Sequence, residues 1–177
     1  MLTELAQEGA DLEYLMVDSS SVRVHQDAAR THRGQEVDAM GKSRGGLTTK
    51  VHALCDALGY PLAFILTCGQ RGDATQGIGL LLKAMQPGCS CLLDGGYDSD
   101  AIREYVLQEG GTAVIPPKNT RTTTIPFDKH TYKERHKVEN LFQKLKRFRR
   151  IATRYEKKVT RFAAMIAIAA ILIWIRF

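Results

Sequence analysis

The chain has 177 residues, 44% of them hydrophobic and 25% charged, which is a length and composition suited to one globular domain with a sizeable core. That composition excludes a disordered or low-complexity protein, and no internal repeat is present. The net charge of +6 is unevenly spread: residues 118–161 hold 15 Lys or Arg against 4 Asp or Glu, and the remainder is acidic. A basic second half joined to an acid-bearing first half fits a polyanion partner such as nucleic acid, and equally fits a solvated helix surface.

In chain order, the first periodic segment runs from Glu13 to His25, with Tyr-Leu-Met-Val leading directly into Asp18. The acidic N-terminus before it lacks the apolar core of a signal peptide. Lys42-Ser43-Arg44-Gly45-Gly46 reads as a loop, either a plain connection or a phosphate cradle. Leu47 to Cys55 alternates, with Leu47, Thr49, Val51, Ala53 and Cys55 on one face and Thr48, Lys50 and His52 on the other. Pro61 to Cys68 follows after a Gly-containing turn, so the pair predicts an antiparallel hairpin. Asp73 to Met85 is a predicted helix stopped by Pro87-Gly88, and Cys89 to Asp94 a buried strand. Asp98 to Gln108 is a second helix, and Thr112 to Ile115 a strand closed by Pro116-Pro117. A basic loop over 118–130 leads to a long helix over 131–150 and a final helix over 157–175. An antiparallel start followed by alternating units predicts an α/β fold, a mixed sheet with helices on its faces.

Cys55, Cys68, Cys89 and Cys91 lie in apolar stretches without zinc spacing, so reduced buried thiols and a cytoplasmic setting are expected. Phe162 to Ile175 is almost wholly apolar, but its 14 residues fall short of the ~20 that span a bilayer. Burial against the sheet or a partner subunit is expected there, and no membrane association.

Two strands are expected to end alike, Leu15-Met16-Val17-Asp18 and Cys91-Leu92-Leu93-Asp94, each delivering a carboxylate at its carboxyl end. If the strands are parallel neighbours, the two acids converge as hard oxygen ligands for Mg²⁺ or Mn²⁺. Taken singly, each Asp also fits the start of a turn. On the long helix, Tyr132, Arg135, Glu139 and Lys146 fall within about a 60° sector, and Gln143 and Arg150 extend the stripe. Val138, Leu141, Phe142, Leu145 and Phe148 centre about 120° away and would pack on the sheet. By spacing alone, Arg135 and Glu139 also read as an ordinary i,i+4 ion pair.

The pattern Tyr132-x-x-Arg135-x-x-x-Glu139, with Lys146 seven residues on, resembles the signature around the third acid of DDE transposases of bacterial insertion sequences. DSSSVRVH, SRGGLTTKVHALCDALG, LLDGGYDSDAIR and KERHKVENLFQKLKRFRRIATRYEK are similar to the five group within the wider four and five superfamily, in the right order over residues 12 to 175. The resemblance implies a ribonuclease H-like fold and a single catalytic domain over 1–177. It implies Asp18, Asp94 and Glu139 as catalytic metal ligands for two Mg²⁺ or Mn²⁺ ions roughly 3.5–4 Å apart. It also implies Tyr132, Arg135 and Lys146 as contacts to double-stranded DNA, both element ends and target, in a homo-oligomer assembled on DNA; Arg150, which extends their stripe, is expected to bind DNA with them. Relatives commonly carry a basic residue where Gly95 follows Asp94 here, which removes a phosphate contact. They also carry an N-terminal helical domain that reads the element's ends. Only 17 residues precede Asp18, so end recognition is expected from a partner chain or a missing domain. Two alternatives stay open: a catalytically inactive remnant that only binds DNA, and a ribonuclease H-like nuclease.

Overall fold

Strand β1 (Tyr14–Val24) places Leu15, Met16 and Val17 at full burial and then continues through the polar run Asp18-Ser19-Ser20-Ser21. In the computed structural model of the chain, which describes residues 4, 8–29 and 36–176, this strand is the centre of a seven-stranded sheet. On one side β3 (Gly46–Cys55) runs antiparallel to it, from Met16 opposite Cys55 to Arg23 opposite Thr48. The far side of β3 is taken by β4 (Pro61–Cys68) and by the short β2 (Gly41–Ser43). On the other side of β1, β5 (Ser90–Leu93) runs parallel to Tyr14–Val17, with β6 (Thr112–Val114) parallel beyond it. Further along the same side, β7 (Thr153–Arg154) pairs with Arg23 and Val24. Among the described residues, β1 therefore has no strand partner on that side between Asp18 and Val22.

This corrects the reading of Asp18 as a strand end. It sits in mid-strand, at the point where β5 stops and β1 runs on paired with β3 alone. Asp94 does follow the end of β5, one position past the Val17–Leu93 pair. The segment 42–46 is not a loop either. It forms a tight β2–β3 turn, because Gly46 adopts φ +93° and the Ser43 hydroxyl donates to Gly46 O while accepting from Gly45 N–H.

Strand alternation separates two cores. Met16, Val22, Val51, Ala53, Cys55 and Leu92 face one side, where α4 (His136–Lys146) and α6 (Val159–Arg176) pack. Leu15, Val17, Leu54, Cys91 and Leu93 face the other, against α1 (Ala74–Leu81) and α2 (Asp100–Gln108). The polar face of β3 is thus buried too: His52 is fully enclosed and Thr48 nearly so. All four cysteines are buried and free.

The predicted long helix is broken twice. α3 (Lys129–Tyr132) passes into a 3₁₀ turn at Lys133–Arg135 before α4 begins. Phe148, with ψ near 110°, then separates α4 from α5 (Arg149–Ala152), and the chain straightens into β7. Arg154, which closes β7, is wholly buried and donates to Asp38 O, Thr49 Oγ1, Glu156 O and Lys157 O. Burial lowers its pKa to about 10, and Asp38 and Glu156 oppose that shift.

α6 has 18 residues, close to the expected span and longer than the apolar stretch within it, and is long and apolar enough by length and composition to cross a membrane. Burial is not all-round. Phe162, Ile166, Ala169, Ala170 and Ile173 face the core, while Ile168 and Ile175 are exposed. Trp174 is half-buried, stacked on Tyr60 at 4.6 Å, and its indole N–H donates to Pro61 O.

Candidate active site

The five-residue opening beside β1 is where the predicted residues meet. Asp18 and Ser20 share the face of β1 that looks toward α4, since Met16 and Val22 of the same alternation lie in the α4 core. Asp94 follows Leu93 on the parallel neighbour, whose separation from β1 is about 4.8 Å. Its carboxylate accepts a hydrogen bond from Gly96 N–H (2.8 Å), which starts a 3₁₀ turn at Gly95–Tyr97. Asp18 accepts from Ser19 N–H (2.8 Å).

The helical stripe reaches this edge. Arg135 joins the two elements, with Nη1 2.9 Å from Asp18 Oδ2 and Nη2 donating to Glu139 Oε1 (2.7 Å). Its guanidinium carbon stands 5.8 Å from the centre of the Tyr132 ring, close enough for a cation–π contact, and Tyr132 is braced edge-on by Phe127. One turn past Glu139 and beyond, Lys146 Nζ donates to Ser20 Oγ (2.6 Å). The structure thus brings together Asp18, Asp94, Tyr132, Arg135, Glu139 and Lys146. It does not bring in Arg150. Beyond the break at Phe148, Arg150 turns to Glu156, donating from Nε (2.8 Å) and approaching with Nη2 (2.7 Å). The stripe ends where the helix ends.

The basic loop is also less available than its composition implies. Arg121 donates to Asp98 and Asp100, and Arg103 donates to Asp98. Burial raises the Asp98 pKa, but donors from Arg121, Lys118 N–H and Arg103 overcome it and bring the value to about 2.

Burial is the main force on Asp18 and raises its pKa; Arg135 and the Ser19 amide pull it down, and Asp94 adds to the rise. Two carboxylates side by side in a half-buried edge need a cation. Arg135 supplies one, imperfectly: its Nη1 is a buried nitrogen with no aligned hydrogen-bond partner, although Asp18 is close. Among the described residues no three His, Cys, Asp or Glu side chains stand close enough to share one ion, because Arg135 lies between Asp18 and Glu139. The donor set fits a hard divalent cation in kind, being all carboxylate oxygen with a poorly bonded cation already against it.

Several site residues escaped the sequence reading. Ser19, Lys50, His52, Asp73 and Tyr97 form a polar network on the opposite face of β1. The alternation of Thr48, Lys50 and His52 was its signal, a polar strand face that must be buried if helices cover both sides of the sheet.

The transposase DDE domain family matches residues 10–174 of this chain. A putative transposase for insertion sequence element IS6501 from Brucella ovis (strain ATCC 25840 / 63/290 / NCTC 10512) is 40% identical over 131 residues, covering 73% of this chain and all of that protein. The chain is a DDE transposase domain. Among solved structures it resembles the piggyBac transposase in a synaptic complex with hairpin DNA, at a TM-score of 0.63 and 11% identity, over 99% of this chain. It spans about half that protein's length, 49%. The Mos1 transposase paired-end complex with the left transposon end aligns over 96% of this chain and 59% of that one, at a TM-score of 0.39 and 12% identity. The fold of this transposase domain is ribonuclease H-like: a mixed sheet with its central strand flanked by one antiparallel and one parallel neighbour. Transposases of this family work with divalent metal ions.

Proposed function

We propose that this chain cleaves DNA at the ends of an insertion sequence and joins the freed ends to target DNA, with Asp18, Asp94 and Glu139 as the catalytic carboxylates. The observation that carries the reading is the meeting at one open strand edge of two neighbouring acids and a helix-borne third, linked by Arg135. These three carboxylates would hold two Mg²⁺ or Mn²⁺ ions. When bound, such ions supply Lewis-acid activation of an attacking oxygen and stabilise the leaving oxygen of an in-line displacement.

The chain's own residues do the rest. The Ser19 and Gly96 amides fix the rotation of Asp18 and Asp94, so the acids need little reorganisation. Arg135, Tyr132 and Lys146 line the same edge and would grip the phosphates flanking the scissile bond, Arg through a two-pronged fork and Lys as a point charge. Arg135 pairs with both Asp18 and Glu139 and so spans the site from strand to helix. Double-stranded DNA is the substrate, and two ends acted on together call for a homo-oligomer on DNA. End-sequence recognition by a partner chain or a further domain completes the proposal.

The test is strand nicking and 3′-end joining on a duplex carrying the element's terminal repeat, in Mg²⁺ and in Mn²⁺. D18A, D94A and E139Q should each abolish both steps, because groups that act as a unit fail together. E139Q with near-normal cleavage would refute the assignment, and a wild-type chain that binds DNA without cutting would identify an inactive remnant.

A further inference from the structure

On the α1 face of β1, level with Asp18, lies a network that the proposed reaction does not use. Asp73 stands at the start of α1 but does not cap it; its carboxylate makes no bond to the helix N–H groups. An Asp in that position ordinarily stabilises a helix by about 0.5–2 kcal/mol through such a bond. Here it turns toward the sheet instead. Asp73 Oδ1 accepts from Ser19 Oγ (2.8 Å) and Lys50 Nζ (3.0 Å), with His52 Nδ1 3.8 Å away. Lys50 is held in turn by Arg71 O (2.7 Å). His52 is fastened from behind by Thr67 Oγ1 (2.9 Å) and lies 3.3 Å from the buried Tyr97 hydroxyl. Gly96 fits between the two faces: a methyl group there would meet Asp94 Oδ1 at 2.8 Å and Asp73 Oδ2 at 3.4 Å.

We infer that Asp73 is a positioning residue for Asp18, acting through Ser19. Among the described residues, β1 lacks a strand partner on its β5 side from Asp18 to Val22, so there the sheet fixes the Asp18–Ser19 peptide from one side. That peptide's N–H is the donor that orients the Asp18 carboxylate (2.8 Å). Tying the Ser19 side chain to Asp73 anchors the same residue to α1 and replaces the missing neighbour. Lys50 pairs with Asp73 at 3.0 Å and holds its carboxylate in place beside Ser19. His52 and Tyr97 pack the remaining space, which keeps water from competing for the Ser19 hydroxyl. The inference rests on the reading of Asp18 as a metal-holding residue.

The test is a double-mutant cycle on the full chain: D73A, S19A and D73A/S19A, with D18A as reference. Cleavage rate, Mn²⁺ affinity by calorimetry on the DNA-free protein, and unfolding midpoint are measured for each. Partners that orient a metal-holding side chain typically change affinity or activity by about 10–100-fold when removed. D73A and S19A should each lower kcat and weaken Mn²⁺ binding by about that factor, at near-constant KM for DNA. The double variant should be no worse than the weaker single, because both changes cut one connection. Independent, multiplying losses would overturn the route through Ser19, and so would a folded D73A or S19A with wild-type Mn²⁺ affinity. If D73A does not fold, S19A, which removes a single hydroxyl, decides the matter by the same readouts. D18A that binds Mn²⁺ and cleaves normally would instead sink the underlying reading of the site.

Discussion

Asp98 offers a charge whose contribution to stability follows from its surroundings. Its carboxylate is 1% exposed and accepts from Arg103 Nε (2.9 Å), Arg121 Nε (2.8 Å), Arg121 Nη2 (3.2 Å) and Lys118 N–H (2.9 Å). These bonds tie the segment after Pro117 to the start of α2, and Arg103 also holds Ile115 O (2.8 Å). The ordinary pKa of 3.8 falls to about 2. That is a little under two units, or about 2 kcal/mol. Because the folded value lies below the unfolded one, this stabilisation is fully present above about pH 4 and is lost as pH falls toward 2. Asp98→Asn removes the charge while keeping the shape. In urea unfolding at pH 7, D98N should be less stable than wild type by at least about 2 kcal/mol, since Arg103 also loses its counterion and Arg121 keeps only Asp100. Repeated between pH 6 and pH 2, the gap should shrink by about 2 kcal/mol, nearly all of it below pH 4. A gap that stays constant across the series would refute the argument.

Arg154→Met should destabilise the fold by about 3 kcal/mol or more at pH 7, since it removes the donor to two buried carbonyl oxygens and to the buried Thr49 hydroxyl; a denaturant midpoint close to wild type would contradict this. DNA binding should weaken steeply with salt, with a log–log slope near −0.9 per phosphate neutralised. R135A and K146A should each flatten that slope by about one phosphate, whereas R150A, whose guanidinium is engaged by Glu156, should flatten it less. Equal slopes for R150A and K146A in filter-binding titrations would place Arg150 on the DNA after all. The isolated chain should bind the terminal repeat and a scrambled duplex within about tenfold of each other, because phosphate contacts carry no sequence information. A preference of ~10³ or more would show that it reads bases itself.

The strands and both core-facing helices after them were legible because their apolar residues repeat at the right period, and Asp94 was legible because it follows such a strand directly. Asp18 was found as a residue but misplaced as a strand end. The three serines after it carry no apolar repeat, and what keeps them extended is their pairing with β3. The two breaks around α4 were hidden for a related reason: Lys133-Glu134-Arg135 and Arg147-Phe148-Arg149 are good helix formers taken locally. Tertiary contacts decide otherwise, with Arg135 bound to Asp18 and the chain past Phe148 drawn into β7. Asp73 was read only as the beginning of a helix, and its turn toward Ser19 depends on a strand more than fifty residues upstream.

The pairing of β1 with β7 has a consequence for how the chain is made. Strand β1 receives a neighbour from Thr153 and Arg154, more than a hundred residues later in the chain, and Arg154 reaches back to Asp38 and Thr49. Contacts so distant in sequence form late, after the entropy of closing a very large loop has been overcome. Asp18 and Asp94 can meet before Glu139 has been made, whereas Glu139 and the strand that secures the far end of β1 arrive later. A carboxylate site divided in this way along the polypeptide stays unassembled until Glu139 has been made, and a chain that stops short of Thr153 leaves the far end of β1 with an open edge.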